Sequence, residues 1–150
     1  MYTAADIASW FLLRNKCDYD TGVSDELISN LKLQKLLYYA QGCVLAITGK
    51  PLFDEDFQAW EHGPVVPEIY QMYKGFGRNG IEFNGDENAE KIDSEIKGIL
   101  EDVYYEFGQY SAWKLRDMTH EELPWKDTPK NGIISKESIK KYFEENYIEQ

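Results

Sequence analysis

One run, residues 24 to 50, "SDELISNLKLQKLLYYAQGCVLAITGK", limits what this chain can fold into more than any other. It places Leu33, Leu37, Ala40, Val44 and Ile47 at alternating spacings of four and three, which is the buried stripe of an α-helix. Gly49 supplies a left-handed stop, and Pro51 prevents the helix from resuming. Gly42 in mid-helix costs up to about 1 kcal/mol relative to alanine, so its presence predicts close packing of another element there. The opposite face carries Gln34, Tyr38 and Gln41, a polar-aromatic strip that a core does not require. From the sequence it reads equally as an interface or as a plain solvated face.

Other elements are expected on either side. Thr3 with Asp6 forms a capping box ahead of Ala4, Ile7, Ala8 and Phe11, so a first helix should run to about Lys16 and leave through "CDYDTG". "FQAW" alternates and is short, a brief strand over Phe57 to Trp60. "WEHGPVVPEIY" follows. Gly63 permits unusual backbone angles, Pro64 fixes the next one, and Pro67 fits the first turn of a helix with Ile69, Met72 and Tyr73 on one side. Residues 82 to 95 are acid-rich and read as an exposed loop. Ile92, Ile96, Ile99, Leu100, Val103 and Phe107 then have core spacing in a helix closed by Gly108. A further helix begins at Ser111 and buries Trp113, Leu115 or Met118.

"THEELPW" reads as a turn in which Thr119 caps the Glu122 N–H and Pro124 stops any continuation. "NGIIS" supplies a three-residue strand to pair with "FQAW", and Ser135 caps a last helix with Ile139, Tyr142 and Phe143 facing inward. No repeat or linker interrupts the pattern. The expected architecture is one domain over residues 1–150, a mainly α, compact bundle of five to six helices with a small two-stranded antiparallel β element.

Charge narrows the function classes. With 27 acids against 16 bases the net charge is −11, and no basic cluster breaks the acidity. Phosphate backbones are bound by neutralising them with Lys and Arg, so nucleic acid is an improbable partner, whereas a basic protein is well matched. Aromatic residues make up 15% of the chain, and their surplus suits protein contact surfaces. No run approaches membrane-spanning length, and the N-terminal stretch lacks the positive lead of a signal peptide, so no membrane partner is expected. Cys17 and Cys43 are too few for a disulfide scaffold and are expected as buried free thiols, which fits a reducing, cytoplasmic setting.

Catalytic and metal chemistry find little support. Cys17, Cys43, His62 and His120 never fall within a turn or hairpin of one another, unlike the paired spacings of zinc sites. No nucleophile elbow, HExxH or phosphate-cradling loop occurs, and "GFGRNG" reads as a helix exit. His62 and His120 each precede a turn near a tryptophan. An acid–base pair is one reading, but no third catalytic group has a place, so both are expected as structural imidazoles that bridge turns to the core. No catalytic activity and no cofactor are expected.

Three segments in order, "LKLQKLLYYAQG", "AWEHGPVVPEIY" and "THEELPW", jointly resemble the signature of the Panacea domain family, the phage-associated, SocA-like proteins. The resemblance extends from the first helix to "ISKESIKKYF". It implies an antitoxin that neutralises a cognate toxin, encoded nearby, by direct protein contact. It also implies an alternative, an adaptor that delivers the toxin to a Clp-type AAA+ protease. A host-interaction protein of a phage or mobile element is the third reading.

Carried over by position, Gln34, Lys35, Tyr38 and Tyr39 match the helix motif. Trp60, His62, Gly63, Pro64, Val65 and Tyr70 match the central one, and Thr119, His120 and Trp125 the late one. With Gln41 these residues are expected to be partner-binding or domain-defining, while "EELP" is expected to vary. Because toxins differ, part of the toxin-facing surface should lie outside the motifs. No helix-turn-helix module is visible, so promoter binding is not expected and the toxin should be a separate chain.

Overall fold

Side chains that accept a backbone N–H open five of the helices, which is why these stretches start where they do. The computed structural model describes residues 1–85 and 91–148. Thr3 caps α1 (Ala4–Asp20) in a reciprocal box with Asp6. Ser29 caps α2 (Asn30–Thr48), Asp93 caps α4 (Ser94–Gly108), Ser111 caps α5 (Ala112–His120) and Ser135 caps α7 (Lys136–Asn146). The remaining helices are α3 (Pro67–Tyr73), which runs into a 3-10 turn at Lys74–Phe76, and the short α6 (Leu123–Lys126). Both carry a proline in the first turn, where its missing N–H is harmless.

Strands β1 (Phe57–Trp60), β2 (Gly63–Val65) and β3 (Ile133–Ile134) form an antiparallel sheet in the order β2-β1-β3. Phe57 pairs with Ile134 as the sequence suggests, and Trp60 pairs with Gly63 across a tight turn. The described residues therefore contain seven helices and three strands rather than five to six and two. The additional strand, β2, has no alternation to announce it. Pro64 lies on an edge strand, where its lack of an N–H is tolerated.

The fold is built around α2. Every residue from Leu33 to Leu45 is buried, and α1, α3, α4, α5, α7 and β2 all pack against it. Leu33, Leu37, Ala40 and Val44 are core as expected, but Ile47 near the helix end is exposed. Tyr39 stacks on Phe107 of α4 at 3.9 Å, and Tyr38 meets Phe57 and Phe143 edge-on. A Cβ on Gly42 would sit 2.4 Å from the ring of Phe143, so glycine there is what lets α7 lie on α2.

Several boundaries and faces depart from the sequence reading for local reasons. α1 continues to Asp20 because Arg14–Asp18 and Lys16–Asp20 form i,i+4 pairs at 2.6 Å across "CDYD". Cys17 is consequently exposed on the outer side of that helix, whereas Cys43 is buried, its thiol pushed up to about 12 by desolvation. α2 starts only at Asn30, since the Ile28 carbonyl accepts from the Ile81 N–H and Ser29 bridges Gly80.

Ile69 is buried beneath α3, but Met72 is exposed. On α5 Leu115 and Thr119 are buried, Met118 is half-buried and Trp113 is exposed. Ile139 and Phe143 face inward from α7, with Tyr142 half-buried. The loop expected over 82–95 falls partly on 86–90, outside the described residues; Asp93 already caps α4. No helix among the described residues is long and apolar enough to cross a membrane.

Candidate functional site

The polar strip of α2 is neither solvated nor available for contact. Gln34, Tyr38 and Gln41 are fully buried, and each polar group is matched inside the protein. Gln41 Oε1 accepts the Leu52 N–H at 2.7 Å, and its Nε2 donates to the Phe53 carbonyl at 2.8 Å. Gln34 Oε1 accepts the Val66 N–H at 2.9 Å, while its Nε2 donates to Asn30 Oδ1; Asn30 in turn donates to the Tyr70 carbonyl. A buried helix with these side chains can pin both the loop at Leu52 and Phe53 and the start of α3.

Lys35 makes the most unusual of these bonds. It is wholly buried, and its ammonium donates to the Pro64 carbonyl at 3.0 Å. Burial first, and then repulsion from Arg116, lower its pKa to about 7. Gly63, at φ +110°, lies directly over it. A Cβ at Gly63 would approach Lys35 Cε at 2.7 Å and Thr119 Oγ1 at 2.8 Å. The first, second and third motifs meet at this point.

The second meeting point is Glu122. Tyr38, Tyr39 and Tyr147 all donate their hydroxyls to its carboxylate, those of Tyr38 and Tyr39 at 3.0 Å. Burial raises the carboxyl pKa and outweighs the three donors that lower it. Glu122 lies within "EELP", expected to vary, yet it is only 3% exposed and joins α2, α6 and α7. "THEELPW" is also more than a turn. Thr119 Oγ1 donates to the Arg116 carbonyl, and it is the Thr119 carbonyl that takes the Glu122 N–H before α6 begins.

Replacing Glu122 with Gln should cost about 1–2 kcal/mol at pH 5, since one oxygen acceptor becomes a donor. A raised carboxyl pKa favours folding most below its unfolded value and loses that contribution as pH rises through the folded value. The penalty of Glu122→Gln should therefore shrink between pH 5 and pH 8 in urea denaturation; a penalty that grows would contradict a buried, raised carboxyl.

The imidazoles lie at the rim, and His62 does not reach the core as the sequence suggests. His120 Nε2 lies 2.9 Å from the Glu61 carbonyl, which assigns it the proton, and the ring stacks on Trp125 at 4.1 Å. Trp125 Nε1 donates to the Trp60 carbonyl, and Trp60 meets Tyr70 edge-on at 5.0 Å. His62 is exposed, accepts from Arg116 Nε at 3.0 Å and faces Trp113, over which Arg116 also lies. Val65 and Pro64 are buried in β2.

The structure thus brings the matched positions of the three motifs into one framework, and of these positions His62 alone is fully at the surface. Asn30, Arg116, Glu122 and Tyr147 complete it without having been singled out. Asn30 alone carried a readable signal, its i,i+4 spacing from Gln34.

The sequence profile of the family described as "Antitoxin SocA-like, Panacea domain" matches residues 33–126, which include all the motif positions. A curated relative, "Antitoxin SocA" of Caulobacter vibrioides (strain NA1000 / CB15N), is 35% identical over 119 residues, covering 70% of this chain. The chain spans 61% of that relative's own length. No solved structure matches.

Proposed function

Because the chain belongs to the SocA-like antitoxin family with a Panacea domain, we propose that it is itself an antitoxin, a single cytoplasmic domain that neutralises a separate toxin by binding it directly. The observation that supports contact rather than catalysis is the burial of the motif side chains. Lys35, Gln34, Gln41, Tyr38 and Tyr39 are at most 1% exposed, and their polar atoms are occupied by the protein's own backbone, by Asn30 and by Glu122. A group that reacts with a substrate must be able to reach it. These residues preserve a shape, and the outer surface is left to recognise the partner.

The test is co-expression with the product of the adjacent open reading frame. Growth inhibition by that product alone, relief by this chain and co-elution of the two at defined stoichiometry are expected. Growth that stays inhibited, or relief without any complex, would remove the proposal. In the same cells the half-life of the toxin is expected to be unchanged. A shortened half-life that depends on a Clp-type protease would replace sequestration by delivery.

A further inference from the structure

An open groove of about 1120 Å³ lies on a part of the surface that, Lys32 aside, the motif segments do not line. Its walls come from the end of α1, residues 23–29, residues 78–82 and the last turns of α4. The floor is held by internal bonds. Asn15 Oδ1 accepts the Ile28 N–H at 3.0 Å, and Tyr104 donates its hydroxyl to Asp18 at 2.8 Å. The rim carries three exposed apolar side chains, Tyr19 at 45%, Val23 at 75% and Tyr105 at 78%.

Its charge is one-sided. Five carboxylates line the groove against three cations, and two of the cations are already engaged. Arg14 is clamped by Asp18 and Glu101, and Lys32 donates to the Gly108 carbonyl. Asp25, Glu26 and Glu82 set the sign that an incoming chain meets, with Arg78 and the ammonium of Lys32 opposing them. A second copy of a chain of net charge −11 is repelled by such a surface, and a cationic segment is drawn to it.

We propose that this groove is the toxin-docking surface, and that it receives a Lys- or Arg-bearing segment with an apolar side chain seated among Tyr19, Val23 and Tyr105. The assignment rests on the antitoxin reading above. It also meets the expectation that a framework serving different toxins recognises each through residues outside the shared motifs. Exposed aromatic and aliphatic anchors provide the contact, and the acidic rim speeds encounter and selects for basic partners.

The test measures binding of the adjacent gene's product to the full chain by calorimetry, at two salt concentrations. Val23→Ala combined with Tyr105→Ala should weaken binding by about 30-fold, the effect of losing a central anchor. Asp25→Lys with Glu26→Lys should weaken it and flatten the salt dependence. Glu137→Lys with Glu145→Lys on α7 changes the charge equally but does not line the groove, and should leave the affinity within about twofold. All substituted side chains are exposed, so thermal melting should remain that of the wild type. If the wild type binds and the groove variants bind equally well, the groove assignment falls and the antitoxin reading stands. If the wild type does not bind, the antitoxin reading falls and the groove assignment with it.

Discussion

Gly63→Ala should be among the most damaging single-methyl additions in this protein, with a loss of about 3 kcal/mol or more. Two independent effects act at once. The residue holds φ at +110°, where an L side chain is strained by about 1–3 kcal/mol. The added methyl would also stand 2.7 Å from Lys35 Cε and 2.8 Å from Thr119 Oγ1, on two fully buried side chains, and overpacking of this kind costs about 1–3 kcal/mol. For a chain of this size the melting temperature should fall by roughly 6–12 °C in calorimetry. An unchanged melting temperature would mean that the turn between β1 and β2 relaxes freely, and that Lys35 is not confined as described.

The second large effect is a pH dependence that belongs to Lys35. An amine whose pKa falls from 10.5 in the unfolded chain to about 7 in the folded one contributes stability that is fully present above 10.5. That contribution is lost as pH falls toward 7, by about 1 kcal/mol per pH unit. In Lys35→Met the amine is gone and with it this slope, while the Pro64 carbonyl loses its donor at a cost of about 1–3 kcal/mol. Compared by urea denaturation, the variant should be the less stable of the two at pH 9.5 and the more stable at pH 7, gaining about 2–3 kcal/mol on the wild type over that range. Parallel stability curves would show that the ammonium is not desolvated in the folded protein.

Much of the architecture could be read from residue order because its determinants are local. The caps Thr3, Ser111 and Ser135 and the 3.6-residue spacing of α4 and α7 depend on neighbours a few positions apart and appear where expected, and the distant "FQAW"–"NGIIS" pairing also forms. The strip on α2 could not be read in the same way. Gln34, Tyr38 and Gln41 look like surface residues because their partners are main-chain atoms 11 to 32 positions away, or Glu122 at 84.

Glu122 had no signal of its own, being one acid among 27. β2 was hidden by its brevity, and the outward turn of Trp113 by the equal claim of Leu115 to the buried face. Of the candidate site, the meeting of the three motifs at Lys35, Gly63 and Thr119 is visible only in the structure.

The bonds from α2 and from the end of α5 to the segment between Leu52 and Tyr70 fall on its amides and carbonyls: those of Leu52, Phe53, Glu61, Pro64, Val66 and Tyr70. A grip of that kind is blind to residue identity. Outward-pointing positions along this ribbon can be rewritten wholesale while the scaffold beneath keeps its geometry, so a lineage could retune its exterior many times without refounding its interior.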